Sequence, residues 1–391
     1  LRTQFVHLWV CDQTEKSNDT FEDYGLFTQV EQLNKTALKA HGLDKSGHLY
    51  KVNSFDFHRY EDTIKLADDS DYNQAKFEGM LEIKGDSDHT KLIEMLDALN
   101  DESQKIDDVL DTYFDTENLV YWLAFQILTG NCDTQNRNCY LYSPLNSNTW
   151  YFLDWDNDGM LRKLELSLTG FSDYASWERG ASNYWGNVLF NRALRSKSFR
   201  SELDRAVKDL RSYMTEARLS KMVKHYREVT ESLVFASPDI DNLPVTKDQY
   251  EQIAAAIPSE IEENYKSFRE SFKKPMPFYI GVPQIENGKL RINWDAAYDF
   301  EARDIRYTVE LARDYAITDV VFKAEDVLLP EVTCDAPDTG QYFARVRATN
   351  SDGYTQDAFD YYVTDDGKQY GMKCFYVQDG GKVVEDTYAE G

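Results

Sequence analysis

The chain has 391 residues and carries 43 Lys and Arg against 69 Asp and Glu, which gives a formal net charge of −26 at pH 7. This charge argues against a general nucleic-acid binder or a polybasic membrane anchor, because both need a positive surface. Hydrophobic residues make up 42% of the chain and aromatic residues 14%, which excludes wholesale disorder. No apolar run approaches the roughly 18 residues of a membrane span. Residues 1–10 alternate like a strand, so we expect any targeting segment to have been removed or to lie outside this sequence.

The first part of the chain predicts strands followed by helices. Residue spacing favours strands at 5–10, 24–30 and 48–57 and helices at 32–40 and 91–99. A further helix is predicted at 117–128, with Thr116 as its N-cap and Gly130 placed to end it. Longer helical patterns, rich in charge pairs, fill residues 183–235 and 247–272.

The pattern changes after residue 277 to short β-rich runs separated by Gly, Asp and Asn. These runs lie at 289–294, 307–312, 319–323, 340–348 and 358–363. We therefore predict an α+β chain in which a mainly helical part is followed by an all-β sandwich. The predicted domains are residues 1–275, the sandwich at 276–363, and a C-terminal extension at 364–391.

The densest chemical signal lies between residues 128 and 158, LTGNCDTQNRNCYLYSPLNSNTWYFLDWDND. A helix ends at Gly130, a polar loop carries Asp133 and Asn138, and a predicted hairpin leads directly to an acidic cluster. The cluster consists of Asp154, Asp156 and Asp158. This order can bring Asp133, Asn138 and one of the later aspartates to one point.

Phosphoryl transfer needs such a grouping. One carboxylate accepts the proton of the attacking hydroxyl, while a second carboxylate and an amide oxygen hold the Mg²⁺ that neutralises the phosphates. Protein kinases place the catalytic Asp and the metal-binding Asn five positions apart, as Asp133 and Asn138 are here, and a metal-binding Asp follows the next hairpin. With the predicted helix before it and the hairpin after it, this spacing is typical of a phosphoryl-transfer site that holds Mg²⁺.

Four segments of the chain resemble the CotH-type atypical kinases, named for spore coat protein H. They are YGLFTQVEQ at 24–32, GHLYK at 47–51, LTGNCDTQNRNCYLY at 128–142 and YFLDWDND at 151–158. The resemblance covers about residues 1–275 and leaves open whether the family domain starts earlier. It implies a reduced kinase-like fold with a small β-rich lobe and a larger helical lobe. The activity it implies is phosphorylation of protein Ser or Thr, outside the cell or on a cell or spore surface, with ATP and Mg²⁺ (or Mn²⁺) as cofactors.

The same resemblance assigns roles to individual residues. Asp133 matches the catalytic aspartate of the family, Asp156 its metal-binding aspartate, and Asn138 the asparagine of its loop. Asp158 and Asp154 are further candidate metal ligands. One position departs from the family, which usually has Pro before the Trp-Asp pair where this chain has Asp154.

Asp154 creates a competing interpretation. Residues 154–165, DWDNDGMLRKLE, fit the calcium-loop template at every specified position, with Glu165 as the bidentate ligand. The alternative function is therefore a non-catalytic surface or adhesion protein that binds Ca²⁺ at 154–165. The predicted strand before the motif favours the kinase metal site, because an EF-hand needs an incoming helix.

A nucleotide also needs a cation on its phosphates, which kinases supply as a Lys held by a Glu. Lys51 of the LYK segment and Glu31 of the VEQ segment are the candidates. The alternative, two exposed strand-edge charges, stays open because surface ion pairs are common.

Residues 277–363 resemble a fibronectin type III-like sandwich. LRINW at 290–294 supplies the early-strand Trp, and GQYFARVRATNSDG at 340–353 supplies a candidate corner tyrosine, Tyr342. Another small β-sandwich is the alternative. The partner expected for the whole chain is a protein substrate, and the charge of −26 favours a basic one.

Overall fold

The computed structural model describes residues 1–14, 20–170, 174–365 and 367–386. The chain divides into two compact units, one formed by Leu1–Ser172 with Arg192–Glu263 and the other by Asp173–Asn191 with Asn264–Gly391. The described helices lie before residue 272, and sheets make up the C-terminal region. The predicted mixed α+β class is confirmed at this level.

The strands of the first unit form a hairpin and an antiparallel four-stranded sheet. In chain order they are β1 (Thr3–Val10), β2 (Glu22–Val30), β3 (His48–Val52), β4 (Leu81–Ile83), β5 (Cys139–Ser143) and β6 (Tyr151–Asp154). β1 pairs with β2, and the larger sheet has the order β4-β3-β5-β6. Because β5 and β6 are adjacent, the residues that precede β5 and those that follow β6 emerge at the same end of the sheet.

Helices lie on both faces of this sheet. The α-helices of the described residues are α1 (Lys35–Ala40), α2 (Gln74–Met80), α3 (Thr90–Asn100), α4 (Ile106–Tyr113), α5 (Thr116–Thr129), α6 (Lys163–Leu168), α7 (Val188–Arg195), α8 (Lys197–Tyr213), α9 (Glu216–Val234) and α10 (Lys247–Ser271), of which α7 and α10 have residues in both units. On one face, Leu38 of α1 packs in a cluster with Leu49 and Tyr140. On the other, Trp122 of α5 lies 4.8 Å from the ring of Phe152.

Helix α5 is apolar along nearly its whole length, and it is buried on most sides. Its N-cap is Asp115, whose carboxylate accepts a hydrogen bond from the backbone N–H of Asn118, so the expected cap at Thr116 is off by one residue. Gly130 ends the helix with φ of 63°, as the sequence predicts. This left-handed turn is favourable for Gly and directs the chain into the polar loop.

The second unit is built mainly from two antiparallel sheets. Its strands are β7 (Gln284–Glu286), β8 (Lys289–Asn293), β9 (Ile305–Ala312), β10 (Val320–Val327), β11 (Glu331–Asp335), β12 (Gly340–Asn350), β13 (Thr355–Asp357), β14 (Tyr361–Thr364), β15 (Gly367–Tyr370), β16 (Met372–Val377) and β17 (Val383–Glu385). One sheet has the order β10-β9-β12-β16-β17, with β13 also on β12, and the other has the order β11-β8-β7. Side chains of both sheets, including Ile292, Val309 and Phe375, form one hydrophobic core.

The stretch 364–391 differs from the separate extension that its polar sequence suggests. Strand β16 pairs with β12 over six residues inside the larger sheet, and Phe375 and Val377 belong to the core. Met372 and Cys374, on the opposite face of β16, belong to a second cluster with Phe343, so both faces of this strand are buried. Residues 366 and 387–391 lie outside the described residues.

Candidate active site

The polar loop between α5 and β5 is held against the end of β3. The backbone N–H of Phe55 donates to the carbonyl of Asn136 at 2.7 Å, and the N–H of Asn138 donates to the carbonyl of Val52 at 3.2 Å. Asn138 adopts a left-handed backbone with φ of 57°, which Asn tolerates better than most residues. Two anchors so close in sequence fix the backbone on both sides of residue 137.

Asp133 lies in this loop with both carboxylate oxygens engaged. The side-chain amide of Asn138 donates to Oδ2 at 2.8 Å, and Nε of Arg137 lies 2.7 Å from Oδ1. The side chain of Asp133 is 37% exposed, so a solvent-borne hydroxyl can approach it. The structure therefore brings together Asp133 and Asn138, the two loop residues that the sequence singles out.

The acidic segment after β6 turns sharply beside this loop. Asp156 has φ of 55°, and a short 3₁₀ helix, Asn157–Gly159, follows it. Desolvation, followed by the negative charges of Asp158 and Asp133, raises the pKa of the Asp156 carboxyl, while Lys51 acts in the opposite direction. The charges of Asp133, Asp156 and Asp158 thus act on one another, while Lys51 and the Arg137 partner of Asp133 oppose them. Such an excess of negative charge favours binding of a cation.

Asp154 contacts a different partner. Its Oδ1 accepts a hydrogen bond from Nε2 of Gln126 at 3.0 Å, and on the sheet it lies opposite Cys139. Asp154 keeps part of its surface exposed to solvent. Desolvation by the surrounding protein atoms nevertheless raises the pKa of its carboxyl. Asp154 therefore ties β6 to helix α5 in this structure.

A buried polar network, missed by sequence reasoning, joins the three parts of the site. Oε1 of Gln126 accepts from the amide of Asn131 at 3.0 Å, and both side-chain amides also reach Oδ1 of Asn157 at 3.3 Å. Oδ1 of Asn131 accepts the backbone N–H of Asp133 at 3.2 Å. A signal was present in the sequence, because Gln126 is the one amide side chain in the run LVYWLAFQILT, and a buried amide needs partners.

Gly159 allows the acidic segment to lie close to the loop. A Cβ atom at this position would be 2.7 Å from Oδ1 of Asn131 and 3.3 Å from Cβ of Asp133. The first distance is shorter than any ordinary contact, so the glycine is required by packing at the site. The calcium-loop template assigns the same residue to a sharp turn instead.

Lys51 and Glu31 are not paired with each other. Nζ of Lys51 lies 5.8 Å from the ring centroid of Trp155, which places it beside the acidic segment. Glu31 accepts hydrogen bonds from Nε2 of His41 at 2.8 Å and from the backbone N–H of Arg2 at 3.1 Å. Among the residues that the structure describes, no ion pair within 4.0 Å joins Glu31 to Lys51.

The geometry at 154–165 differs from that of an EF-hand. Strand β6 leads into the segment, and Glu165 lies in α6 with both carboxylate oxygens bound to Arg162 at 2.7 and 2.8 Å. Within the described part of the chain, no three His, Cys, Asp or Glu side chains form a group that could hold a metal ion by themselves. A calcium loop needs six to eight oxygen ligands, including a bidentate Glu. These contacts disfavour the calcium interpretation.

The residues of the site fit the smaller requirement of Mg²⁺. This ion usually takes one or two carboxylates from the protein and completes its shell with water and substrate phosphates. Asp156 supplies a carboxylate in a field that already carries excess negative charge. The amide of Asn138 donates through nitrogen to Asp133, and its carbonyl oxygen is the atom suited to bind a cation.

Comparison with known proteins connects the chain to a protein family. No curated protein matches the chain. In the described parts of the chain, no helix is both long and apolar enough to cross a membrane. The family model described as CotH kinase protein matches residues 1–268, a stretch that contains every site residue discussed above. A match to this family model suggests a kinase-like enzyme. Since the match covers more than half of the chain, we conclude that the chain belongs to the CotH kinase protein family.

Proposed function

We propose that this protein is a protein kinase that transfers the γ-phosphoryl group of ATP to a Ser or Thr hydroxyl of a protein substrate. The observation that carries the proposal is the hydrogen bond between Asn138 and Asp133, close enough to Asp156 for the charge of Asp133 to raise the pKa of the Asp156 carboxyl. A carboxylate base, an amide oxygen and a second carboxylate are the parts that phosphoryl transfer needs. Membership of the CotH kinase family supports the same reaction class.

Each residue has a defined task in the proposed reaction. Asp133 accepts the proton of the attacking hydroxyl as the oxygen–phosphorus bond forms and the bond from the γ-phosphorus to the bridging oxygen breaks, which releases ADP. Asn138 orients Asp133 through its 2.8 Å hydrogen bond, and Asp156 would hold the metal ion together with the amide oxygen of Asn138. Bound Mg²⁺ would supply charge neutralisation of the phosphates. Lys51 projects from β3 beside the acidic segment and is the proposed phosphate cation.

The wider architecture is proposed on the same basis. The four-stranded sheet with its flanking helices is interpreted as a reduced kinase-like fold, and the C-terminal sandwich as a fibronectin type III-like module. The hydroxyl of Tyr342, near the start of β12, donates to the carbonyl of Asp338 at 3.0 Å, which is the geometry of a tyrosine corner. By analogy with such modules, we propose an extracellular or surface location.

Incubation of the purified protein with labelled ATP and Mg²⁺ or Mn²⁺, with protein phosphorylation as the readout, tests this function. Asp156→Asn should abolish transfer because the metal ligand loses its charge at nearly constant shape. Asp133→Asn should abolish transfer but retain nucleotide binding. Asp71→Asn is the matched control, since Asp71 pairs with Lys65 at an exposed site outside the catalytic loop and the acidic segment. Equal activity in all four proteins would refute the assignment.

The substrate is proposed to be basic around the accepting residue. A chain with a net charge of −26 attracts positively charged partners and repels acidic ones, and salt screens this effect. Peptides with Ser among Lys and Arg should be phosphorylated faster than acidic peptides, and the difference should shrink as the salt concentration rises. A preference for acidic peptides, or a rate ratio independent of salt, would contradict the argument.

A further inference from the structure

Arg137 forms an ion pair with Asp133, the carboxylate that the proposed reaction uses as its base. Its Nε lies 2.7 Å from Oδ1 of Asp133, while Asn138 holds Oδ2 at 2.8 Å. A substrate hydroxyl that gives its proton to Asp133 must approach one of these oxygens. The contact with Asn138 fixes the orientation of the carboxylate, so the contact with Arg137 is the one that has to open.

The loop allows the guanidinium to move while the backbone stays in place. The carbonyl of Asn136 and the N–H of Asn138, on either side of Arg137, are both bound to the chain at the end of β3. The Arg137 side chain is 57% exposed. Rotation about its side-chain bonds can therefore carry the guanidinium away from Asp133 without displacing Asp133 or Asn138.

The ion pair is also weak enough to exchange. Pairs between partly exposed side chains contribute little net free energy, because water screens the charges and two side chains lose mobility. A terminal phosphate carries more charge than one carboxylate and can accept two parallel N–H bonds from a guanidinium. Arg137 is thus able to leave Asp133 for a phosphate that arrives at the same site.

The charges around the site create a need for this cation. Asp133, Asp156 and Asp158 lie near Lys51 and Arg137, so three carboxylates face two cations before any phosphate is present. Glu31 does not hold Lys51 in place, since its carboxylate binds His41. A second cation within reach of the transferred group would offset the added charge.

We propose that Arg137 is a phosphate-contacting residue that covers Asp133 in the free protein and moves to the terminal phosphate of the bound nucleotide. The proposal rests on the proposed kinase function. Nucleotide binding then does two things at once, because it adds a cation to the γ-phosphate and frees Oδ1 of Asp133 for the acceptor hydroxyl. Nucleotide binding therefore favours binding of the acceptor, whose hydroxyl no longer competes with Arg137 for Oδ1.

The ratio of ATP affinity to ADP affinity tests this proposal without relying on turnover. Fluorescence titrations of the full chain with labelled ATP and ADP, in the presence of Mg²⁺, measure both dissociation constants. Arg137→Ala should weaken ATP about tenfold, the size expected for a lost hydrogen bond to a charged group. ADP lacks the γ-phosphate, so its affinity should change less than about twofold on the same scale. Arg137→Lys, which keeps the charge but loses the planar fork, should fall in between.

Arg205→Ala is the matched control, because Arg205 also pairs with a nearby carboxylate, that of Glu202, at an exposed site in α8. It should leave both affinities unchanged, and thermal melts should confirm that every variant is folded. Equal losses of ATP and ADP affinity in Arg137→Ala, or no loss of either, would overturn the proposal while leaving the kinase assignment intact. Failure of the wild-type protein to bind any nucleotide would overturn both.

Discussion

Replacement of Gln126 by Leu should loosen the site from within. Gln126 is fully buried and Asn131 is 2% exposed, so loss of their 3.0 Å hydrogen bond leaves an amide in a place that water cannot readily enter. The amide of Asn131 keeps its 3.3 Å contact with Asn157, and loss of the partner of one buried N–H costs about 1–3 kcal/mol. The contacts of Gln126 with Asp154 and Asn157 add about 0.5–1 kcal/mol, because these residues are partly exposed and water can replace the bond. The apolar surface of Leu offsets part of the loss, which leaves a net destabilisation on the order of 2 kcal/mol.

Thermal melts and the kinase assay measure the two consequences. A loss of about 2 kcal/mol corresponds to a fall in Tm of about 4–8 °C for a unit of this size. Phosphorylation should fall about tenfold or more, because Asn131 accepts the N–H of Asp133 and small displacements of catalytic groups are costly. Gln74→Leu is the control, since Gln74 contacts Glu78 on an exposed helix surface. An unchanged Tm and rate in Gln126→Leu would refute the role of the network.

Three further outcomes are expected. Burial lowers the pKa of His89 to about 4, below its ordinary value of 6.5. The unfolded chain therefore binds the proton more readily than the folded protein does. The free energy of unfolding should fall as the pH is lowered from about 6.5 to 4, by up to about 1.4 kcal/mol per pH unit. Melts of wild type and His89→Gln should show a flatter pH dependence in the variant, and equal slopes would contradict this. Gly159→Ala should lower Tm because its Cβ would clash with Asn131, whereas Gly79→Ala, with nothing within 4 Å of the added atom, should not. Calcium alone should leave Tm nearly unchanged in wild type and in Glu165→Gln, because Arg162 already occupies Glu165, and a large calcium shift that the variant loses would support the EF-hand interpretation.

The local pattern of the sequence was sufficient for much of the secondary structure. Predicted strands at 24–30 and 289–294 correspond to β2 and β8, and the predicted helix at 247–272 corresponds to α10. Periodicity identifies such elements because it depends only on near neighbours in the chain. The strand predicted at 48–57 was too long, since the N–H groups of Asn53 and Ser54 turn to the carbonyl of Met80 and end the ladder at Val52.

The sequence by itself also determined the family and the main candidates of the site. Asp133, Asn138 and Asp156 lie in short segments whose spacing carries their chemistry, and the structure brings Asp133 and Asn138 into contact. In an antiparallel hairpin, the residues just before the first strand and those just after the second lie at the same end of the sheet, so a short loop on either side keeps them close together. This is why a motif in one sequence can predict a constellation in space.

Only the tertiary structure decided which side chains form hydrogen bonds with the candidate site residues. Gln126 forms a hydrogen bond with Asp154, 28 residues away in the sequence, and Tyr50 forms one with His89, 39 residues away. Glu31 binds His41 instead of Lys51. Each of these contacts depends on the approach of elements that are distant in the chain. Sequence spacing gives the direction of a side chain along its own helix or strand, but the partner that waits there is set by how the elements pack.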